Sequence, residues 1–286
     1  MRGAVDAHHH LWDPGHRVYP WMTDEVAPLR RSFGLGDLLP ELELAGVVQT
    51  VVVQAVGTVE ETEDLLGLAA RSPVVAGVVG WVDLQAPDVG DALARLRRCR
   101  GGEHLAGIRH QVQDEPDPDW ILGGAVRRGL GAVAAAGLVF DLLVRERQLP
   151  SARRALAAVP GLRVVVDHAA KPPIAEGRWE PWASEVAALA QLDGVACKLS
   201  GLVTEADWEG WRPAQLEPYV DWILQCFGPE RCLFGSDWPV CTLAASYSQV
   251  AATMEGLLGS LGEVEREAVF AANARRIYGL PAAAAR

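Results

Sequence analysis

His8 and His10 stand two residues apart in the run Asp6-Ala7-His8-His9-His10. In an extended strand, residues i and i+2 point to the same side, so both imidazoles would face one space. Two imidazoles held that way suit a borderline-soft cation such as Zn²⁺. His168 closes the run Leu162–His168, and Asp237 directly follows Phe234-Gly235-Ser236. Together they extend the set to three histidines and one carboxylate. Asp237 also precedes Trp238-Pro239, and a carboxylate partly desolvated by an indole is suited to proton transfer. Asp237 and His168 are thus the candidate catalytic residues, and His8, His10, His168 and Asp237 the candidate metal ligands. Gln54, Trp81, Arg109, His110, Lys198 and Trp238 are candidates for substrate contact. For Arg109 and Lys198 a second reading is an interior ion pair with Asp83 or Asp141. Trp12, Trp21, Trp81 and Trp238 could stack on a sugar ring, or simply pack.

These residues work together only if one architecture gathers them. Eight short apolar runs do so: Ala4–Ala7, Thr50–Ala55, Ala76–Val82, Leu105–His110, Leu138–Val144, Leu162–His168, Val195–Leu199 and Cys232–Ser236. They are apolar almost throughout, as parallel strands buried on both faces are. Helical periodicity lies between them, over Glu63–Arg71, Val89–Cys99, Ala125–Ala136, Gln215–Cys226 and Glu263–Tyr278. Thr58 and Glu61 have capping-box spacing, and Pro181 and Pro213 stand where first helical turns begin. A βα unit takes roughly 30 residues, so the spacing predicts a (β/α)8 TIM barrel with its site at the C-terminal strand ends. No GxGxxG follows an early strand, which counts against a doubly wound sheet. Residues 1–286 read as a single domain. Residues 11–36 lack helical period and carry Trp12, Tyr19, Pro20, Trp21 and Pro28, so they are expected to form an ordered lid.

Four segments carry a resemblance. They are Asp6-Ala7-His8-His9-His10-Leu11-Trp12-Asp13, Val166-Asp167-His168-x-x-Lys171-Pro172, Cys197-Lys198-Leu199-Ser200-Gly201-Leu202 and Phe234-Gly235-Ser236-Asp237-Trp238-Pro239-Val240. With the closing Asn273-x-Arg275-x-Ile277-Tyr278-Gly279, the chain resembles the amidohydrolase superfamily, in particular its sugar-lactonase branch, near the pyrone-dicarboxylate lactonases. The resemblance implies hydrolysis of a cyclic ester, with Asp237 as general base. It implies at most one divalent metal, since Arg109-His110 stands where two-metal members keep a bridging lysine. Members of the branch differ in whether they need metal at all. A metal-dependent decarboxylase of the same superfamily is the rival reading. Few arginines stand at strand ends, which favours a neutral sugar lactone over a pyrone dicarboxylate.

The chain has 37 acidic and 26 basic residues, a formal net charge of −11. Such a surface repels nucleic acid and anionic membranes. No apolar run is long enough for a membrane span, and the N-terminus has no signal-peptide pattern. The five cysteines show no metal or disulfide pattern, so a reducing cytoplasm is the expected location. The expected partner is a small lactone, and a homo-oligomer is left open.

Overall fold

The computed structural model describes residues 1–282. Eight parallel strands form one sheet in sequential order: β1 (Ala4–His9), β2 (Val47–Val53), β3 (Val75–Gly80), β4 (Leu105–His110), β5 (Val139–Leu142), β6 (Arg163–Val166), β7 (Val195–Leu199) and β8 (Cys232–Phe234). A helix follows each strand: α1 (Leu35–Ala45), α2 (Val59–Ala69), α3 (Val89–Arg98), α4 (Gly124–Ala135), α5 (Leu149–Ala157), α6 (Trp182–Ala190), α7 (Pro213–Phe227) and α8 (Tyr247–Leu257). This is a (β/α)8 barrel. The expected final helix is broken into α9 (Glu263–Glu267), a π-helical turn over Ala268–Ala272 and α10 (Asn273–Tyr278).

Period-two alternation decides what fills the barrel. Val139, Val165 and Ala196 share an apolar cluster inside it with Val5, Val51 and Leu233, capped from below by Ile277 and Tyr278. Two positions further along the same chains come Asp141, Asp167 and Lys198, all fully buried. A polar layer therefore sits on an apolar one, between the core and the barrel mouth.

The strands do not close the barrel by a full ladder. Closure is made at the mouth, where Asp237 N donates to His8 O (2.8 Å) and His10 N donates to Trp238 O (2.7 Å). Asp6 ties the same seam, accepting from Ser236 N (2.9 Å), Ser236 Oγ (2.6 Å) and Tyr247 Oη (3.0 Å). Burial pushes its carboxyl up to about 6, with those hydrogen bonds opposing the rise. The bonds that close the barrel are thus the bonds that set His8, His10 and Asp237 side by side.

Residues 11–33 fold back over the mouth. Trp12 and Phe33 pair through their backbones, and Trp12 Nε1 donates to Leu29 O (3.1 Å) and Arg31 O (3.0 Å). The last two residues of the 11–36 segment form the first turn of α1.

Candidate active site

The pairing of β1 with β2 shifts register between Asp6 and His9, and His8 and His10 nonetheless face one space, with Nε2 atoms 3.2 Å apart. His168 arrives differently. β6 ends at Val166, and residues 168–171 all adopt left-handed backbone, with φ of 53°, 50°, 58° and 52°. Four such non-glycine residues cost on the order of 1 kcal/mol each, and the fold secures them. Lys171 N donates to His168 O (2.7 Å) and Trp182 Nε1 donates to Ala169 O (2.8 Å). Asp237 is left-handed too, at φ 56°.

Asp237 Oδ1 lies 3.7 Å from His8 Nε2, 3.6 Å from His10 Nε2 and 3.9 Å from His168 Nε2. Four donors at 2.0–2.1 Å from a tetrahedral ion stand about 3.4 Å apart, so these separations are close to what such an ion requires. The donor atoms of His8, His168 and Asp237 all lie within 4.8 Å of one another. Each Nδ1 meets a partner of its own: Val53 O for His10 (2.8 Å), Ser200 Oγ for His168 (2.9 Å), and Lys198 Nζ (3.1 Å) with Asp167 Oδ1 (3.3 Å) for His8. Burial is the largest cause lowering all three imidazoles, His168 to about 4 and His8 well below its usual value. Neutral imidazole is the ligating form. Burial alone would raise the Asp237 carboxyl, but the facing His168, His10 and His8 outweigh it and hold the group well below the usual carboxylate range. The donors of His8, His168 and Asp237 fit a single zinc-like cation, with His10 beside them through its contacts to His8 Nε2 and Asp237 Oδ1.

Beneath this cluster lies a buried charge network. Arg109 donates to Asp167 Oδ2 (3.2 Å) and to Gln54 O. Lys198 donates to Asp141 and to Asp167 Oδ1 (2.9 Å), and Tyr278 Oη donates to both oxygens of Asp141 (2.8 and 2.9 Å). Lys198 and Arg109 therefore form interior ion pairs, with Asp167 as the shared partner and Asp141 as Lys198's second. Burial of this kind is tolerated because every charge is matched.

A cavity of about 380 Å³ opens above, within the usual range for small-molecule sites. His10, Trp21, Arg109, His168 and Asp237 line it. The other expected contact residues lie elsewhere. Gln54 is fully buried and its amide pairs with Gln111 (3.0 and 3.1 Å). Trp81 Nε1 donates to His110 Nδ1 (3.2 Å), and His110 stacks on Trp120 at 4.2 Å while bonding Glu115 (2.7 Å). Trp238 packs edge-on against Phe33.

Several wall residues were not apparent from the strand ends. Lys171, Arg145, Thr204, Glu205 and Trp208 come from loops after β5, β6 and β7. Two glycines make room for the cluster. A Cβ on Gly201 would fall 2.6 Å from His168 Nδ1, and one on Gly235 would fall 2.7 Å from His8 Cβ. The capping box is half formed: Thr58 Oγ1 accepts from Glu61 N (3.2 Å), but Glu61 Oε2 accepts from Ala55 N (2.8 Å) and Val56 N (2.9 Å). Glu61 thus fixes the exit of β2, where Ala55 O receives Trp21 Nε1 (2.8 Å).

The amidohydrolase sequence profile matches residues 5–280. The chain belongs to the amidohydrolase family. It is 41% identical over 284 residues to L-fucono-1,5-lactonase from Burkholderia ambifaria, covering 97% of this chain and 96% of that protein. It is 40% identical to L-fucono-1,5-lactonase from Burkholderia multivorans, with the same coverage. A crystal structure of a Burkholderia multivorans amidohydrolase with bound zinc superposes with a TM-score of 0.90 at 39% identity, covering 98% of this amidohydrolase and all of that chain. No helix among the described residues is long and apolar enough to cross a membrane.

Proposed function

We propose that the protein hydrolyses a sugar lactone, with Asp237 as the base that takes a proton from water and returns it to the ring oxygen. The observation that carries this reading is the approach of three Nε2 atoms to Asp237 Oδ1 in the floor of a ligand-sized cavity. The facing imidazoles keep Asp237 ionised, the form a general base must have. Lactones are reactive esters, so a positioned base and charge stabilisation suffice. Arg109 lines the cavity and supplies positive charge near the developing oxyanion. When bound by His8, His10, His168 and Asp237, a divalent cation such as zinc would polarise the carbonyl or acidify the water. Residues 11–33 act as the lid that limits bulk water at the site.

The cavity has two characters. Trp21, Val26, Leu29, Val240 and Leu243 make one side apolar, and the loops after β4 to β7 make the other polar. That division suits a ring hydroxylated along one edge, as in the L-fuconolactone for which the Burkholderia relatives are named. A pyrone dicarboxylate is less suited. Arg109 is committed to Asp167 and Lys171 to Glu205, leaving Arg145 as the cavity cation with no ion pair among the described residues.

The test is a pH-indicator screen of aldonolactones, pyrone dicarboxylate and hydroxybenzoates, run on wild type and Asp237→Asn. Aldonolactone turnover that falls ~10²–10⁴-fold in the variant is expected. Turnover of anionic substrates alone, CO₂ release without lactonase activity, or an unimpaired Asp237→Asn enzyme would overturn the reading.

A further inference from the structure

One ion pair in the cavity has no part in the chemistry above. Lys171 Nζ donates to Glu205 Oε1 at 2.7 Å, joining the turn after β6 to the loop after β7. Both side chains are mostly buried, with 17% and 16% exposure, and both line the cavity that holds Asp237 and His168. An ammonium carries three N–H donors and a carboxylate two acceptor oxygens. Among the described residues neither side chain has a second hydrogen bond, so two N–H groups and Oε2 remain available next to each other. The wall therefore offers a charged donor beside a charged acceptor.

A vicinal diol is the complement of that arrangement. One hydroxyl donates to the carboxylate while its neighbour accepts from the ammonium, and both bonds are charge-assisted. Two further features favour a sugar ring. Lys171 is held in left-handed backbone by its own N–H to His168 O (2.7 Å), so the pair sits at a fixed remove from the candidate catalytic histidine. Trp208 lines the same wall at 36% exposure, with its indole N–H already donated to Thr204 O (2.9 Å), which leaves the apolar ring for C–H packing.

We infer that Lys171 and Glu205 together read a vicinal diol of the lactone and so determine which sugar lactones are accepted, an assignment that rests on the lactonase reading. In a 1,5-aldonolactone the ring hydroxyls are at carbons 2, 3 and 4, so every vicinal pair includes the one at carbon 3.

The experiment compares kcat/KM for an aldono-1,5-lactone and its 3-deoxy analogue, in wild type, Lys171→Met, Glu205→Gln and Lys171→Arg. Wild type is expected to prefer the hydroxylated lactone by roughly 10–100-fold, the range for loss of charged hydrogen bonds. Lys171→Met and Glu205→Gln should bring that ratio to within about threefold of one, and Lys171→Arg should keep part of it. Far-UV circular dichroism and thermal melting establish that each variant is folded. A ratio unchanged in the variants while both rates drop together would make the pair a loop brace and overturn the assignment. A wild-type ratio near one overturns it too. If wild type opens no hydroxylated lactone, the lactonase reading fails, and this inference with it.

Discussion

Gly201→Ala tests how tightly the cluster is built. Gly201 has φ +63°, a backbone region that alanine enters at a cost of about 1 kcal/mol. Its added methyl would fall 2.6 Å from His168 Nδ1, 2.9 Å from His168 Cγ and 3.1 Å from Asp237 Oδ2. Overpacking of this kind costs roughly 1–3 kcal/mol, so the total is about 2–4 kcal/mol if nothing moves. The imidazole ring is the part free to give, and it can yield only by leaving Ser200 Oγ, now 2.9 Å from Nδ1. A misplacement of about 1 Å at a reacting group lowers the rate by about 10². The expected result is a kcat reduced ~10²-fold, with KM less affected, and a melting temperature lowered by roughly 5–15 °C, from 2–4 °C per kcal/mol at this chain length. Gly131→Ala in α4 is the control, because a Cβ there meets nothing within 4 Å. It should raise helix stability by ~0.5–1 kcal/mol and leave kcat alone. Wild-type kcat in Gly201→Ala would show that His168 is not wedged against this backbone, and a stability loss without a rate loss would separate the fold's requirement for glycine from the site's.

Two further outcomes follow from the same geometry. Glu61 is 2% exposed, and burial raises its carboxyl from 4.5 to about 7 against the opposing hydrogen bonds from Val56 and Ala55. A raised acid stabilises the fold when protonated, so about 3 kcal/mol of stability is present below pH 4.5 and lost as pH rises through 7. Glu61→Gln keeps an acceptor for both amides and should flatten the urea-unfolding free energy between pH 5 and 8 relative to wild type; parallel curves would refute the assignment. For the metal site, competition with a chromophoric chelator should give one zinc equivalent per chain, and His10→Ala should weaken it at least ~10-fold. Two equivalents, or unchanged affinity in that variant, would contradict a mononuclear four-donor site.

The parts legible from sequence are those governed by short periods. The β-branched runs mark parallel strands because both of their faces are buried, and His8-x-His10 marks one side because the pleat repeats every two residues. The barrel topology then converts position along a strand into height, which is why His168 and Asp237 meet His8 across 160 and 229 residues. Arg109 and Lys198 stayed ambiguous for the same reason. Strand ends in a barrel lie close both to the cavity and to the interior, and only the depth of Asp141 and Asp167 decides between them.

What stayed hidden depends on backbone states that residue identity does not announce. His168-Ala169-Ala170-Lys171 contains no glycine or asparagine, yet all four residues are left-handed. The compensation is tertiary: the indole N–H of Trp182, the Lys171–Glu205 bond and the vacancy at Gly201 each come from another segment. Local propensity points against this turn, and strain retained against propensity tends to gather at functional sites. The turn aims His168 at Asp237 with its first residue and sets Lys171 on the cavity wall with its last. A strand continuing from Val166 would put those two side chains on opposite faces, so one costly turn gives both the candidate catalytic histidine and the cavity-lining cation from four consecutive residues.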